Sequence, residues 1–374
     1  MIIRKRQLIN IRSIFRSGIR REGGLLAALL SVLCGLTACT DWVYDDRSGC
    51  DSGVYLVFRY DYNLQRADMF ADHVGGVTVY VFDADGRYIT RQSEANTAVH
   101  APLKDKGYRM HLDLPAGEYL FLAVAMQRDV DATQQAGGGR ARFLLTEPGA
   151  YGRMEDFGVM LEHAADGTVS HGGMPLDTLW MGRTKIPLRT CDLRAAYDTI
   201  DLMRHTKHIS VVLRDLDNEE GTDVSDYDFR IDDRNLRLRY DDSVDETEAA
   251  VYTPYATWNT DDRPLTEKEG AGIGRMAHAD FMTSRLLWHE RAVDDATLTV
   301  THRETGNEAI RVNLPDLLSR LRTSDERHVY TEQEFLDRAY DYRLTFFLKG
   351  GRWVEVQLEI SVLSWSIRMQ NVDI

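Results

Sequence analysis

The sequence predicts a mostly β protein whose exported body folds as two tandem β-sandwich domains with short helices in the connections. Three observations predict it. Apolar residues recur with a period of two along much of the chain, turn residues punctuate these runs at short intervals, and 336 residues follow an N-terminal export signal, enough for two domains of ordinary size.

The export signal comes first. Arg4, Lys5, Arg6, Arg12, Arg16, Arg20 and Arg21 precede an apolar run from Leu25 to Leu33. A basic n-region ahead of a short apolar core is the pattern of a secretory signal. Nine residues at the helical rise reach only about 14 Å, against a hydrocarbon core of ~30 Å, so the run is too short to span a membrane. Two cysteines end it. Cys34 follows Ser31-Val32-Leu33, with a bulky residue at −1, whereas Cys39 follows Leu36-Thr37-Ala38, a lipobox pattern. Cys39 is therefore the expected lipidation site and the first residue of the mature chain, and residues 1–38 the signal peptide. Several acyl chains on one residue anchor a protein stably where a single chain does not.

Loss of residues 1–38, with seven basic residues and one acidic, takes the formal charge from −14 to −20. So acidic a body is not a nucleic-acid binder, which needs clustered Lys and Arg, nor one that lies on anionic lipid through basic residues. Residues 39–52, polar and acidic after Cys39, are expected to act as a tether. Cys50 and Cys191 are the remaining cysteines. In an oxidising compartment an even pair can bridge, closing a loop whose chain-entropy effect is about 4–5 kcal/mol, or the two can be unrelated thiols.

The first domain is expected over 53–203. Val54–Tyr60 opens it, and Val77–Phe82 and Arg87–Thr90 flank Asp83-Ala84-Asp85-Gly86, a hairpin signal. Tyr108–Leu114 and Glu118–Ala125 flank Pro115-Ala116-Gly117. Residues 131–142, with three consecutive glycines, read as a flexible surface loop. The second domain is expected over 204–374. Ile209, Val211 and Leu213 alternate, Thr297–Thr301 and Glu308–Leu314 flank a Gly306 turn, and Pro315 starts a short helix. Thr331 with Glu334 three residues on is a capping-box start for another helix. Tyr342, Leu344, Phe346 and Leu348 alternate up to Gly350-Gly351, and Val354, Val356, Leu358, Ile360 and Val362 form the apolar set of the return strand. Beyond it Leu363, Trp365, Ile367 and Met369 lie on the opposite phase, which predicts a bulge or a change of sheet near Val362–Leu363. These four are the candidate subunit-contact strand, able to add to the sheet of another subunit.

Catalytic patterns are missing from the sequence: it contains no G-x-S-x-G, P-loop, G-x-G-x-x-G or H-E-x-x-H. His171-Gly172-Gly173 without a nucleophile reads as a turn. His205 and His208 precede a strand and lack an evident third metal ligand. Asp215–Gly221 imitates a calcium loop but carries Glu220 where the sharp-turn glycine belongs, and Asp226, Asp228, Asp232 and Asp233 read as a solvated acidic loop. No cofactor and no small-molecule substrate is expected. Tyr252, Tyr255 and Trp258 could form a sugar-stacking loop, with buried packing as the commoner use of such residues.

The lipobox, GVYLVFRYDYN at 53–63, VTVYVFDADGRYI at 77–89, LPAGEYLFLAVA at 114–125 and EISVLSWSI at 359–367 together resemble the FimB/Mfa-type anchor subunits of type V fimbriae. The resemblance implies two transthyretin-like sandwiches, outer-membrane attachment through the lipidated cysteine, and a fimbrial shaft subunit as partner, joined by strand exchange. A surface lipoprotein adhesin of the same fold, binding carbohydrate or protein, is the alternative it leaves open.

Overall fold

Alternation and turn chemistry lay down twenty-four strands in the computed structural model, which describes residues 52–135, 139–218, 221–262, 274–324, 328–362 and 365–369. In the first half they are β1 (Val54–Arg59), β2 (Gly76–Asp83), β3 (Tyr88–Ala95), β4 (Met110–Leu112), β5 (Gly117–Met126), β6 (Phe143–Thr146), β7 (Gly158–Leu161), β8 (Thr168–Val169), β9 (Leu179–Arg183), β10 (Leu188–Thr190), β11 (Ala196–Asp201) and β12 (Met203–Arg204). The second half holds β13 (Lys207–Asp215), β14 (Tyr227–Asp233), β15 (Arg237–Arg239), β16 (Val244–Asp245), β17 (Ala250–Tyr252), β18 (Ala256–Asp262), β19 (Gly274–Thr283), β20 (Thr297–His302), β21 (Glu308–Asn313), β22 (Asp341–Lys349), β23 (Arg352–Val362) and β24 (Trp365–Met369).

Two sandwiches result. In the first, the sheet β11-β1-β4 covers one face of the sheet β12-β9-β5-β2-β3, to which β10 adds along β5. Val54, Leu56 and Phe58 of β1 meet Val77, Val79 and Val81 of β2 and Phe121 of β5 in one core, with Trp180 fully buried beside them. In the second, the six strands β18-β19-β13-β22-β23-β24 and the five strands β21-β20-β14-β17-β8 enclose Ile209, Val211, Leu213, Ile231, Leu298 and Leu344. The second core extends into the first half. Tyr80, Phe82, Leu122, Val124 and Met181, on the reverse face of the first sandwich's large sheet, belong to the same continuous cluster. With both faces covered, β2 and β5 are buried along nearly their whole length and so read as unbroken apolar runs.

Pairing also joins the halves. β7 pairs with β15 in the sheet β16-β15-β7-β6, and β8 runs parallel to β17. The expected boundary between residues 203 and 204 falls inside β12, which completes the first sandwich's sheet by pairing with β9.

Local signals act as expected at several turns. Asp83 Oδ1 accepts from the amides of Asp85 (2.9 Å) and Arg87 (2.8 Å), closing the β2–β3 hairpin. Asn313 and Thr331 cap the helices Leu314–Ser319 and Glu332–Arg338 by accepting from the amides of Asp316 and Glu334. Two expectations need correction. Residues 131–135 are not loop but part of the helix Val130–Gln135, started by Asp129 Oδ1 accepting from the amides of Asp131 and Ala132 and held by buried Val130 and Thr133. Asp228 and Asp232 are not in an acidic loop but on β14, where Tyr227, Phe229 and Ile231 point inward between them.

Candidate subunit interface and the groups around it

The C-terminal strand hairpin decides what the sheet offers outside. Gly350 and Gly351 both adopt left-handed φ (59° and 73°), the conformation a two-residue hairpin turn requires, and Lys349 pairs with Arg352 across them. The β22–β23 register then shifts between Phe347 and Leu348: Phe347 pairs with Glu355 and Leu348 with Trp353, leaving Val354 as the extra residue. Trp353 packs against the core, edge-on to Phe346 at 5.8 Å, while Val354 is 55% exposed. Of the expected inward set on this strand, Val356, Leu358 and Ile360 are buried.

The second phase change, expected near Val362–Leu363 as a bulge or a change of sheet, is neither. Val362 pairs with Trp365, Ile360 with Ile367 and Leu358 with Met369, so the chain reverses and β24 returns antiparallel along β23. Trp365, Ile367 and Met369 lie on the terminal strand of the six-stranded sheet, beside the 3-10 turn Arg320–Ser324. Leu363 falls outside the described residues, as do Cys39 and Cys50. Cys191 is exposed after β10, its thiol held below the usual range first by the Leu193 backbone amide.

At the opposite end of the same sheet β18 is the terminal strand. The three aromatics expected in one sugar-stacking loop separate here. Tyr252 is fully buried and donates to Asn235 Oδ1 (2.6 Å), Tyr255 is half-buried, and Trp258 alone is 39% exposed, stacked on His278 at 5.0 Å. His205 and His208 also part, His205 lying between β12 and β13 and His208 on β13. His205 is buried with Nε2 2.9 Å from Asp242 Oδ1. His208 Nδ1 donates to Asp341 (2.7 Å) and its Nε2 lies 3.0 Å from the Tyr255 hydroxyl, with Asp280 3.7 Å away. Burial alone would lower His208; the nearby carboxylates of Asp280 and Asp341 carry it up to about 9. His171 is buried near Tyr255, and burial pushes it down to about 4. Asp215 Oδ1 accepts from the amides of Asp217 and Asn218. Among the described residues no group of His, Cys, Asp and Glu is placed to hold a metal ion, and no helix is long and apolar enough to cross a membrane.

Between the halves lies a cluster that no local pattern announces. Lys207, fully buried, donates through Nζ to the carbonyls of Leu336, Asp337 and Ala339, completing the end of the helix Glu332–Arg338. Arg204 stands over the Tyr340 ring (4.1 Å) and near Trp180 (5.8 Å), Arg338 over Tyr62 (4.1 Å), and Arg66 Nε donates to the Tyr330 hydroxyl (3.1 Å). Arg285 grips both oxygens of buried Asp337 (2.8 and 2.7 Å).

A family model described as fimbrillin-A associated anchor proteins Mfa1 and Mfa2 matches residues 47–371. A candidate adhesin of Bacteroides thetaiotaomicron is 29% identical, with a TM-score of 0.67 over 85% of this chain and 98% of its own. A candidate polysaccharide-binding protein of the same organism is 27% identical, with a TM-score of 0.65 over 86% of this chain and 99% of its own. The fimbrial anchor protein Mfa2 of Porphyromonas gingivalis shares the fold, at 16% identity and a TM-score of 0.55 over 85% of this chain and 99% of its own. Among curated proteins no similar sequence was found.

Proposed function

The chain belongs to the family of fimbrillin-A associated anchor proteins, and on that premise we propose that it is a non-enzymatic subunit tying a fimbria to the outer membrane through a lipidated Cys39. The observation that carries the reading is a coincidence within one chain: the lipobox Leu36-Thr37-Ala38-Cys39 ends an export signal, and the anchor-family match begins at residue 47, just beyond it. The first sandwich (53–203) is then the half next to the tether, and the second (204–374) the half that meets the first shaft subunit. Contact is by β-strand addition at the edge made by β24, which among the described residues has no further strand beside it in the sheet. A bridge between Cys50 and Cys191 would fasten the tether to the body.

A second reading, a surface adhesin of the same fold, is favoured by half-exposed Trp258 and by the description of two similar proteins as candidate adhesin and candidate polysaccharide binder. The deciding experiment is the distribution of fimbriae in a strain carrying Cys39→Ala. The anchor reading expects fibres shed into the medium with this protein still at one end. Fibres that remain on the cells, unchanged in number, would overturn it in favour of the adhesin.

A further inference from the structure

The three-stranded sheet of the first sandwich turns one face to the core and the other outward. On the outward face Tyr55 of β1 pairs directly with Tyr197 of β11 on one side and His111 of β4 on the other. The rings form a row: Tyr55 and Tyr197 lie 5.3 Å apart and nearly parallel (15°), and Tyr55 and His111 lie 4.6 Å apart. Arg109 stands over the Tyr197 ring at 5.7 Å. The row is open to solvent, since Tyr197 keeps 55% of its surface exposed and Leu193, just ahead of β11, keeps 63%.

Its position matters as much as its composition. His111 Nε2 lies 2.9 Å from the carbonyl of Ser52, and the Ala196 amide donates to the Gly53 carbonyl (2.9 Å), so the rings occupy the end of the sheet at which the tether enters the body. At the far end of β1 the character changes: Arg59 pairs with Asp201 (2.7 Å) and Asp61 (3.2 Å). One sheet face thus runs from aromatic to ionic along its strands, starting from the tether. Tyrosine rings suit a membrane headgroup layer, with an apolar body and a polar tip, whereas ion pairs belong in water. The body's acidic balance rules out a broad basic footprint on lipid, which leaves a local aromatic contact as the means of seating it.

Thirteen residue steps separate Cys39 from Ser52, a reach of at most ~45 Å when fully extended. A tether this short holds the face near the membrane at an effective concentration in the millimolar range, so a contact too weak to bind a free protein is still occupied. We propose, on the premise that Cys39 is lipidated, that the Tyr55–Tyr197–His111 row with Leu193 at its rim is a membrane-docking face that seats the first sandwich on phospholipid headgroups. The lipid then supplies retention, and the aromatic row fixes how the body stands on the surface.

The test is hydroxyl-radical footprinting, read by mass spectrometry, of the full-length lipidated protein in phosphatidylethanolamine–phosphatidylglycerol vesicles, against the Cys39→Ala protein free in solution. Tyr197 and Leu193 are expected to be oxidised severalfold more slowly on vesicles, with Tyr151 and Val329, both fully exposed and outside this sheet, unchanged. A Tyr197→Ser, Leu193→Ser double variant should remain vesicle-bound while Tyr55 regains its solution reactivity. Equal oxidation of Tyr197 and Leu193 in the bound and free proteins overturns the docking face and leaves the lipid anchor standing. A protein whose intact mass carries no acyl chains on Cys39 overturns the anchor premise and the docking face with it.

Discussion

Single residues separate readings that periodicity makes equivalent. Val354 and Ile360 occupy the same phase of one apolar run, but the bulge turns Val354 out while Ile360, paired with Tyr342, is buried in the core. Ile360→Asp buries an unpaired carboxylate and is expected to lower stability by about 4 kcal/mol or more. Val354→Asp adds a charge at an exposed position, within about 0.5 kcal/mol of neutral. Urea unfolding of the two variants checks the bulge, and equal losses at both positions would refute it. His208 supplies the pH counterpart. Its pKa rises from 6.5 in the unfolded chain to about 9 in the fold, because Asp280 and Asp341 favour the imidazolium despite burial. The resulting stability is fully present below pH 6.5 and is lost as pH rises through about 9; a shift of this size corresponds to an order of 3 kcal/mol. His208→Gln should flatten the fall in stability over that window, measured by urea midpoints at successive pH values. An unchanged slope would mean that the Asp280–His208–Asp341 contact is not what holds the proton.

Elements differ in how far local chemistry specifies them. The β22–β23 hairpin is legible residue by residue, since alternation on both sides converges on Gly350-Gly351 and both glycines adopt positive φ. Gly351→Val, in a left-handed conformation that costs a side chain about 1–2 kcal/mol, should lower stability by that amount and no more, because nothing else lies where its Cβ would go. A loss within error, by thermal melting, would show that the turn relaxes to another type. The caps Asn313 and Thr331 are legible for the same reason: one side chain reaches one amide. β24 is only half legible. The phase of Trp365, Ile367 and Met369 shows that the chain changes face, but an inserted residue and a reversal through two residues leave the same mark on the phase, and only the pairing with β23 separates them. β14 hides behind composition, with Asp228, Arg230 and Asp232 outward obscuring the inward Tyr227, Phe229 and Ile231. The aromatic row on β1, β4 and β11 is invisible along the chain, because Tyr55, His111 and Tyr197 meet only through two long-range ladders.

At the scale of the whole molecule, what matters is whether the two sandwiches stand as separate bodies or as one. The described residues, from Ser52 onward, cluster as a single compact unit. The physical reason is that β2, β5 and β9 of the first sandwich's large sheet have no solvent face to spare. Tyr80, Phe82, Leu122, Val124 and Met181 all point into the core that the second sandwich completes, and β7 finds its outer neighbour in β15. Each such side chain left in water forfeits about 1.5–3 kcal/mol, so exposing five of them removes an amount comparable to the whole stability of an ordinary domain. The Arg204–Tyr340 and Arg338–Tyr62 stacks and the Arg66–Tyr330 hydrogen bond bind the halves further. A fragment of residues 53–203 is therefore expected to aggregate or remain molten, and calorimetry of residues 39–374 to show one transition. A soluble 53–203 fragment with its own cooperative melt, matched by two transitions in the longer protein, would refute the shared core. On the proposed anchor reading the single body has a mechanical meaning: tension applied at an edge of the second sandwich would reach the expected tether through packed sheets and stacked guanidinium groups, the described residues placing no slack linker between the two sandwiches.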